Sequence, residues 1–533
     1  MLGRRQLSHR RVREIMVVVA GISIYVTGVA YWFLPDLVSS GVAIAAVVCV
    51  LMTVALTRTR IKMPPLAPTA VLFIALMLFV PAAIMRKTFG DIDIGALIFH
   101  LRNGIAGTPI SDYFPQIIAT ALSLASIMVS IAAFGSAVKT RGGILFIAAA
   151  VLFLVNPMTS RSMVVLADNY LPSPLLKKFV DPVVALPSSV LPDIFVIFLE
   201  GTDMRFSDRA VYGNSFEHIE ALQSEALTLS SIGQLHGTGY SVAGMVTSLC
   251  GIPPVAPPHE YILAEATCLG DILRDFGYVR EFFVGGNKEF GGIRLFYEGH
   301  GDFRLTGIEE LRELGPPVFM DSAVISEIAD DEAVFSAALH RHAQIASIPQ
   351  PLAMVVETSG PHGVPNYLSR SCSGTGKAEE TDDAGMSVRC TTGLALSFIR
   401  TVQQRQAALR PDRPLRIIVV SDHLNHAAER LPAWEGIKGR NTVLLSGDPR
   451  YDGLVIDRVG TYADVYATVL DWLGFAQRPV AAGIGRSLLS QPDTLAENIG
   501  LQKEDLQDLS ERAVYLKMLR AFYPVSRWSQ RQR

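Results

Sequence analysis

Four residue types able to act on one reacting group stand at the ends of regular-looking segments in this chain. Glu200 closes the run DIFVIFLE, and Asp422 with His423 closes the run RIIVVSDH far downstream. Carboxylate oxygens and one imidazole form a ligand set for a single divalent cation, and zinc, manganese and magnesium all fit it. Ser241 follows the glycine-bearing turn GTGY and precedes VAGMVTSL, which reads as the first turns of a helix. The free N–H groups and the dipole at such an end favour an alkoxide and a bound phosphate. Coordination by a cation would lower the hydroxyl pKa further and make a serine a usable nucleophile at neutral pH. A third run, PLAMVVET, leads into SGPHGVP and brings His362 to the same edge, where it can donate a proton or hold a phosphate oxygen. Each residue also has an ordinary reading: a strand-end cap for Glu200, a strand-to-loop turn for Asp422 and His423, a helix cap for Ser241 and a solvated loop for His362. The chemical reading rests on their convergence.

The elements that must achieve this convergence are legible in the residue pattern. DIFVIFLE, YVREFFVG, PLAMVVET, RIIVVSD and NTVLLSG are short apolar runs rich in β-branched residues, the composition of buried strands. They alternate with helical patterns such as CLGDILRDFG, TTGLALSFIRTVQQRQAAL and YADVYATVLDWLGF. That alternation predicts an α/β domain over residues 192–489 with a mainly parallel sheet covered by helices on both faces. In open α/β sheets, ligands bind at the carboxyl ends of the strands. Glu200, His362, Asp422 and His423 all fall there.

Half of the 533 residues are hydrophobic and only 18% are charged. Mean hydropathy is positive, which is too apolar for an ordinary soluble enzyme. The excess lies in residues 1–156, where five apolar runs stand out: Ile15–Phe33, Ser39–Leu56, Pro68–Ile84, Gln116–Phe134 and Gly142–Val155. Their lengths sit near or slightly under the roughly 20 residues that span a bilayer, so five transmembrane helices are expected. Arg4, Arg5, Arg10, Arg11 and Arg13 precede the first run, Arg58, Arg60 and Lys62 follow the second, and Lys139 and Arg141 separate the last two. The positive-inside bias then places the N-terminus in the cytoplasm and the C-terminal domain outside, although Arg86, Lys87 and Arg102 run against it. Residues 157–191 read as a juxtamembrane linker, and residues 490–533 as a polar, helical tail with no assigned role. Cys49 lies in the second run. The remaining four cysteines form two pairs of equal spacing, and of three possible pairings Cys250 with Cys268 and Cys372 with Cys390 is favoured, each bracketing a loop. Disulfides agree with export to an oxidising compartment.

The segments AGMVTSLCGIPP, CLGDILRDFGY, FVGGNKEFGGIRLFYEGHGDF and the His362 region with its downstream Cys372 and Cys390 carry a family resemblance, as does GTYADVYATVLDWLGF followed by GIGRSLL. The chain resembles, over nearly its whole length, the membrane-bound branch of the alkaline phosphatase and sulfatase superfamily. Within that branch it resembles phosphoglycerol transferases of periplasmic glucans and lipoteichoic acid synthases. The resemblance implies five spans, a linker and an extracytoplasmic sulfatase-like domain in a bacterial inner membrane. It implies one divalent metal held by Glu200, Ser241, Asp422 and His423, with His362 contacting the transferred head group. It further implies a phosphatidylglycerol donor, a covalent intermediate on Ser241 and a periplasmic glucan acceptor, and no nucleic-acid partner is expected. Two positions depart from the family pattern. The nucleophile is threonine in these transferases and serine here, with Thr238 three residues earlier as a rival; and the basic head-group contact falls on either Arg294 or Lys288. Sulfate ester hydrolysis is excluded, because Ser241 is followed by Val-Ala-Gly-Met and not by the x-Pro-Ser-Arg that formylglycine conversion needs. The alternatives kept open are phosphoethanolamine transfer to lipid A or glucan and a membrane-tethered binding module with a decayed site.

Overall fold

The computed structural model describes residues 179–522, apart from 188–189, 255–261, 264, 314–318, 321–327, 363–365 and 426–438, together with the isolated positions 74 and 163. The five apolar runs (Ile74 excepted), Cys49 and most of the linker lie outside the described residues. Among the described residues no helix is long and apolar enough to cross a membrane.

The main sheet is built from β1 (Asp193–Leu199), β2 (Ala226–Leu229), β3 (Val279–Val284), β4 (Arg304–Thr306), β5 (Leu352–Glu357), β6 (Leu415–Ser421), β7 (Val443–Ser446) and β8 (Val455–Ile456). Their order across the sheet is β8-β2-β7-β6-β1-β5-β3-β4. All five runs read as strands from the sequence are in it. Pairing is parallel throughout except at β7, which runs antiparallel to β6 and β2. The described domain is therefore α/β with a mainly parallel sheet, as expected.

Residues on β1 show why these runs are apolar at every position. Ile194, Val196 and Phe198 point to one face, against α1 (Ser241–Cys250), α2 (Leu269–Asp275) and α6 (Tyr462–Leu473). Phe195, Ile197 and Leu199 point to the other, against α4 (Asp331–Ile345) and α5 (Ala384–Leu409). The remaining helix of the sheet's first face, α3 (Ile293–Gly299), packs Ile293, Phe296 and Tyr297 into the same core as α1. A strand covered on both sides has no polar alternation to show.

Register decides what stands at the carboxyl edge. β1 lies between β6 and β5, with Leu199 opposite Ser421 and Phe198 opposite Glu357. The residues that follow, Glu200, Asp422 and Thr358, are thereby delivered side by side. At the opposite edge, buried Asp193 accepts hydrogen bonds from Arg410 Nε (2.6 Å), Gln406 Nε2 (2.8 Å) and the Leu352 N–H (2.8 Å), tying β1 to β5 and the end of α5.

Both favoured disulfides form, Cys250 with Cys268 and Cys372 with Cys390. The segment after Ser490 packs onto the domain. Tyr515, Met518, Leu519 and Phe522, spaced as one stripe along and just past α7 (Arg512–Ala521), are buried with Leu506 and Leu509 against Leu235, Val459, Ala463 and Ile484. The Leu509 carbonyl accepts the His236 N–H at 2.9 Å, so this segment braces the turn that leads to Ser241. The final residues, 523–533, lie outside the described residues.

His342 on α4 is fully buried, edge-on to Phe195 at 5.4 Å between ring centroids, and neither ring nitrogen has a hydrogen-bond partner among the described residues. Burial depresses its pKa to about 4. The unfolded chain takes up this proton near the ordinary value of about 6.5 and the folded chain refuses it until about pH 4, so stability falls as pH drops through that window. Thermal melts of wild type and His342→Leu from pH 7.5 to 4.5 should diverge, with the variant losing less Tm on acidification; parallel curves would refute this origin of acid sensitivity.

Candidate active site

Ser241 is the first residue of α1, after an extended Tyr240 that makes no side-chain cap. Ser241 Oγ donates to Glu200 Oε2 at 3.2 Å and lies 3.4 Å from His423 Nε2. His423 Nε2 is 3.0 Å from Glu200 Oε1 and 3.4 Å from Asp422 Oδ2. Ligand atoms of Glu200, Asp422 and His423 all fall within 4.8 Å of one another, and all three residues are buried. Thr238 stands elsewhere: it is fully buried and donates its hydroxyl to the Leu235 carbonyl at 2.7 Å, closing the turn before the helix.

Each member is held by backbone. Asp422 Oδ1 accepts the Gly201 N–H at 2.9 Å and the His423 N–H at 2.8 Å, which turns Oδ2 toward the cluster. His423 Nδ1 lies 2.8 Å from the Leu424 carbonyl, an acceptor that puts the proton on Nδ1 and leaves the Nε2 lone pair facing Glu200 and Ser241. The Leu424 N–H is in turn held by Gln234 Oε1 at 2.8 Å. The Glu200 N–H donates to Thr358 Oγ1 at 3.0 Å, locking the end of β1 to the end of β5. Gly244, one turn along α1, rests on the Asp422 carbonyl so closely that a β-carbon there would collide with it. That contact sets the height of Ser241 over the cluster.

The electrostatics demand a counter-charge. Burial and then the neighbouring Glu200 carboxylate push Asp422 above the usual carboxylate range. Glu357, at the end of β5, is raised in the same way by burial and then by Asp422 and Glu200. Burial alone would lower His423, yet the charges of Asp422 and Glu200 outweigh it and raise its pKa. Among the described residues Asp422 Oδ2 has no hydrogen-bond donor, although it is sealed from solvent. A buried, donor-free carboxylate oxygen facing a second carboxylate, an imidazole and a hydroxyl fits a divalent cation, because a cation relieves both the repulsion and the lost hydration. Glu200, Ser241, Asp422 and His423 are the residues that would hold it. A second group, Cys268, Asp271 and His300, is structural: Cys268 is in a disulfide, and Asp271 caps α2 and bonds His300 Nδ1 at 2.7 Å.

Of the remaining predicted residues, His362 is linked to this cluster through its loop. The loop carrying half-buried His362 is joined to it through Pro361, whose carbonyl accepts Asn425 Nδ2 at 2.9 Å and crowds Gly201. Lys288 pairs with Glu310, and Arg294 Nε with Glu289 at 2.9 Å, so these two cations are engaged by carboxylates of their own neighbourhood. Sequence reading missed Glu357, although it carries the same strand-end signal as Glu200. It also missed Gly244, Gln234 and Asn425, whose importance is purely spatial.

This fold and this cluster define a class of protein: an α/β domain with a hydroxyl, two carboxylates and an imidazole gathered at the carboxyl edge of a mainly parallel sheet. Within that class the chain is similar to phosphoglycerol transferase I of Xanthomonas campestris pv. campestris, 24% identical over 473 residues, covering 84% of this chain and 65% of that protein. It is also similar to phosphoglycerol transferase I of Salmonella paratyphi B, 32% identical over 330 residues, covering 58% of this chain and 40% of the relative. The chain thus spans less than two thirds of the length of these relatives. Among solved structures, an integral membrane protein, lipooligosaccharide phosphoethanolamine transferase A from Neisseria meningitidis, shares the fold with a TM-score of 0.54 at 13% identity, over 86% of this chain and 95% of that one. No protein-family model matches the chain.

Two outcomes are expected. Chelation should lower the Tm of the protein, and adding back manganese or zinc at ~100-fold over Kd should restore about 2.7 kcal/mol, a response absent in Asp422→Asn; an identical melt with and without chelator would refute the cation. Gly244→Ala should displace α1 and weaken cation binding measured by calorimetry at least tenfold, whereas unchanged affinity would show that the helix contact does not set the site.

Proposed function

We propose that the domain transfers the glycerophosphate head group of phosphatidylglycerol to a periplasmic glucan or similar polysaccharide, through a covalent intermediate on Ser241. The observation that carries this reading is the hydroxyl of Ser241, at a helix N-terminus, within 3.2 Å of Glu200 and 3.4 Å of His423. The similarity to proteins named phosphoglycerol transferase supports the head group and the phosphotransferase class. The two disulfides support an oxidising, periplasmic setting for the domain, with the apolar N-terminal runs as its inner-membrane anchor.

In this mechanism the Ser241 oxygen forms a bond to phosphorus and gives up its proton to solvent, while the bond from phosphorus to the diacylglycerol oxygen breaks and that oxygen is protonated. His362 is the proposed donor of that proton and a contact of the head group, with Arg294 or Lys288 as the basic contact. A hydroxyl of the acceptor sugar then attacks the same phosphorus and releases Ser241 with its proton restored. The N–H groups at the start of α1 face the charge that spreads over the phosphoryl oxygens. A divalent cation (zinc, manganese or magnesium) held by Glu200, Ser241, Asp422 and His423 would lower the hydroxyl pKa and offset that charge. Covalent capture divides one hard step into two.

Incubating the protein with phosphatidylglycerol labelled in its head-group glycerol should leave a glycerophosphoryl adduct on the Ser241 peptide by mass spectrometry. Ser241→Ala should abolish the adduct and lower turnover by ~10³-fold or more, while Ser241→Thr retains both. An adduct on Thr238 would overturn the nucleophile. Transfer from labelled phosphatidylethanolamine alone would overturn the donor in favour of phosphoethanolamine transfer. Cation binding with no transfer from either lipid would favour a binding module.

A further inference from the structure

Asp331 is the first residue of α4 and fully buried, on the side of the sheet opposite α1. Both its carboxylate oxygens are committed to the loop that carries His362. Oδ1 accepts the Ser359 N–H at 2.7 Å, and Oδ2 accepts the Gly360 N–H at 3.1 Å and the Thr391 hydroxyl at 3.0 Å. Gly360 lies so flat on this pair that a β-carbon would collide with Thr391 Oγ1. The next residue meets the cation cluster: the Pro361 carbonyl takes the Asn425 amide at 2.9 Å, and the Asn425 N–H is itself anchored on Asp203 Oδ2 at 3.0 Å. On the far side of His362, the Tyr367 N–H returns to the Gly360 carbonyl at 2.8 Å, and the Cys372–Cys390 disulfide fastens the chain to α5 beside Thr391.

We propose that Asp331 is a positioning residue for the transfer reaction: with Thr391 beneath the Ser359–Pro361 backbone and Asn425 above it, Asp331 sets where His362 stands relative to Glu200, Asp422 and His423. A carboxyl group buried across the sheet from the reacting serine, its pKa raised by burial to about 7, is otherwise a costly way to close a loop, and α4 does not need it, since Asp330 already caps that helix. The commitment of both oxygens to consecutive N–H groups of one loop gives that carboxyl group a specific use. The inference rests on the proposed role of His362 and deepens it.

A double-mutant cycle in the full-length, membrane-inserted protein tests it. Asp331→Asn, Thr391→Val and Asp331→Ala are each combined with His362→Ala and assayed for kcat and KM with phosphatidylglycerol, for manganese affinity, and for hydrogen exchange of the 357–368 peptide. Expected are a fall in kcat of about tenfold for Asp331→Asn and about threefold for Thr391→Val, manganese affinity unchanged, faster exchange in that peptide, and no further loss when either is added to His362→Ala. Multiplicative losses with His362→Ala, or a loss of manganese affinity in Thr391→Val that matches its loss of kcat, would overturn the proposal. If wild type itself shows no lipid transfer, the failure belongs to the proposed reaction; the cycle then runs on bis(p-nitrophenyl) phosphate cleavage, and unaltered 357–368 exchange in both Asp331→Asn and Thr391→Val sinks the positioning role independently.

Discussion

Crowding two carboxylates and an imidazole against one hydroxyl, out of contact with water, is the constraint to which the rest of this domain answers. Like charges at such distances repel strongly in a medium of low polarity, and each loses its hydration on burial. The cluster of Glu200, Asp422 and His423 is therefore held together against its own electrostatics, as the upward shifts of Asp422 and of nearby Glu357 record. A rigid frame holds that arrangement, and a bound cation would make it favourable.

The frame is the sheet. Parallel pairing of β1 with both β5 and β6 puts three strand ends level, and backbone N–H groups of Gly201 and His423 fix one oxygen of Asp422 while the other faces the cluster. Helix α1 is then pressed onto the Asp422 carbonyl at Gly244, where any side chain would intervene. Reaction geometry at Ser241 thus follows from a helix-to-loop contact one turn away from the reacting atom. The C-terminal segment adds to the frame from outside, through Leu509 and the turn at His236.

Much of this was legible beforehand, for identifiable reasons. The five central runs are apolar at every position, and two-sided burial is the state in which that pattern is stable, so strand identity and the α/β class followed from composition. Glu200, Asp422, His423 and Ser241 were visible because ligand and nucleophile types sit where regular segments end. Strands such as Arg304–Thr306 and Val455–Ile456 were not, since two or three residues at a sheet edge carry no periodicity. The docking of residues after Ser490 was passed over because polar residues dominate that stretch and its apolar stripe is narrow. Asp331 and Asn425 gave no local signal at all, because what they hold is backbone from distant parts of the chain.

By itself the sequence determined the kinds of groups available, the fold class, a favoured cysteine pairing among three and the apolar character of the N-terminal region, because each depends on composition and on spacing along the chain. Tertiary structure alone decided that Ser241 and not Thr238 meets the carboxylates, that Lys288 and Arg294 are paired with Glu310 and Glu289, and that the His362 loop is clasped between Asp331 and Asn425. Those outcomes turn on strand register and on the close approach of one helix to one carbonyl. Neither is encoded in any short stretch of residues; both arise when segments separated by a hundred residues or more are packed to a fraction of an ångström.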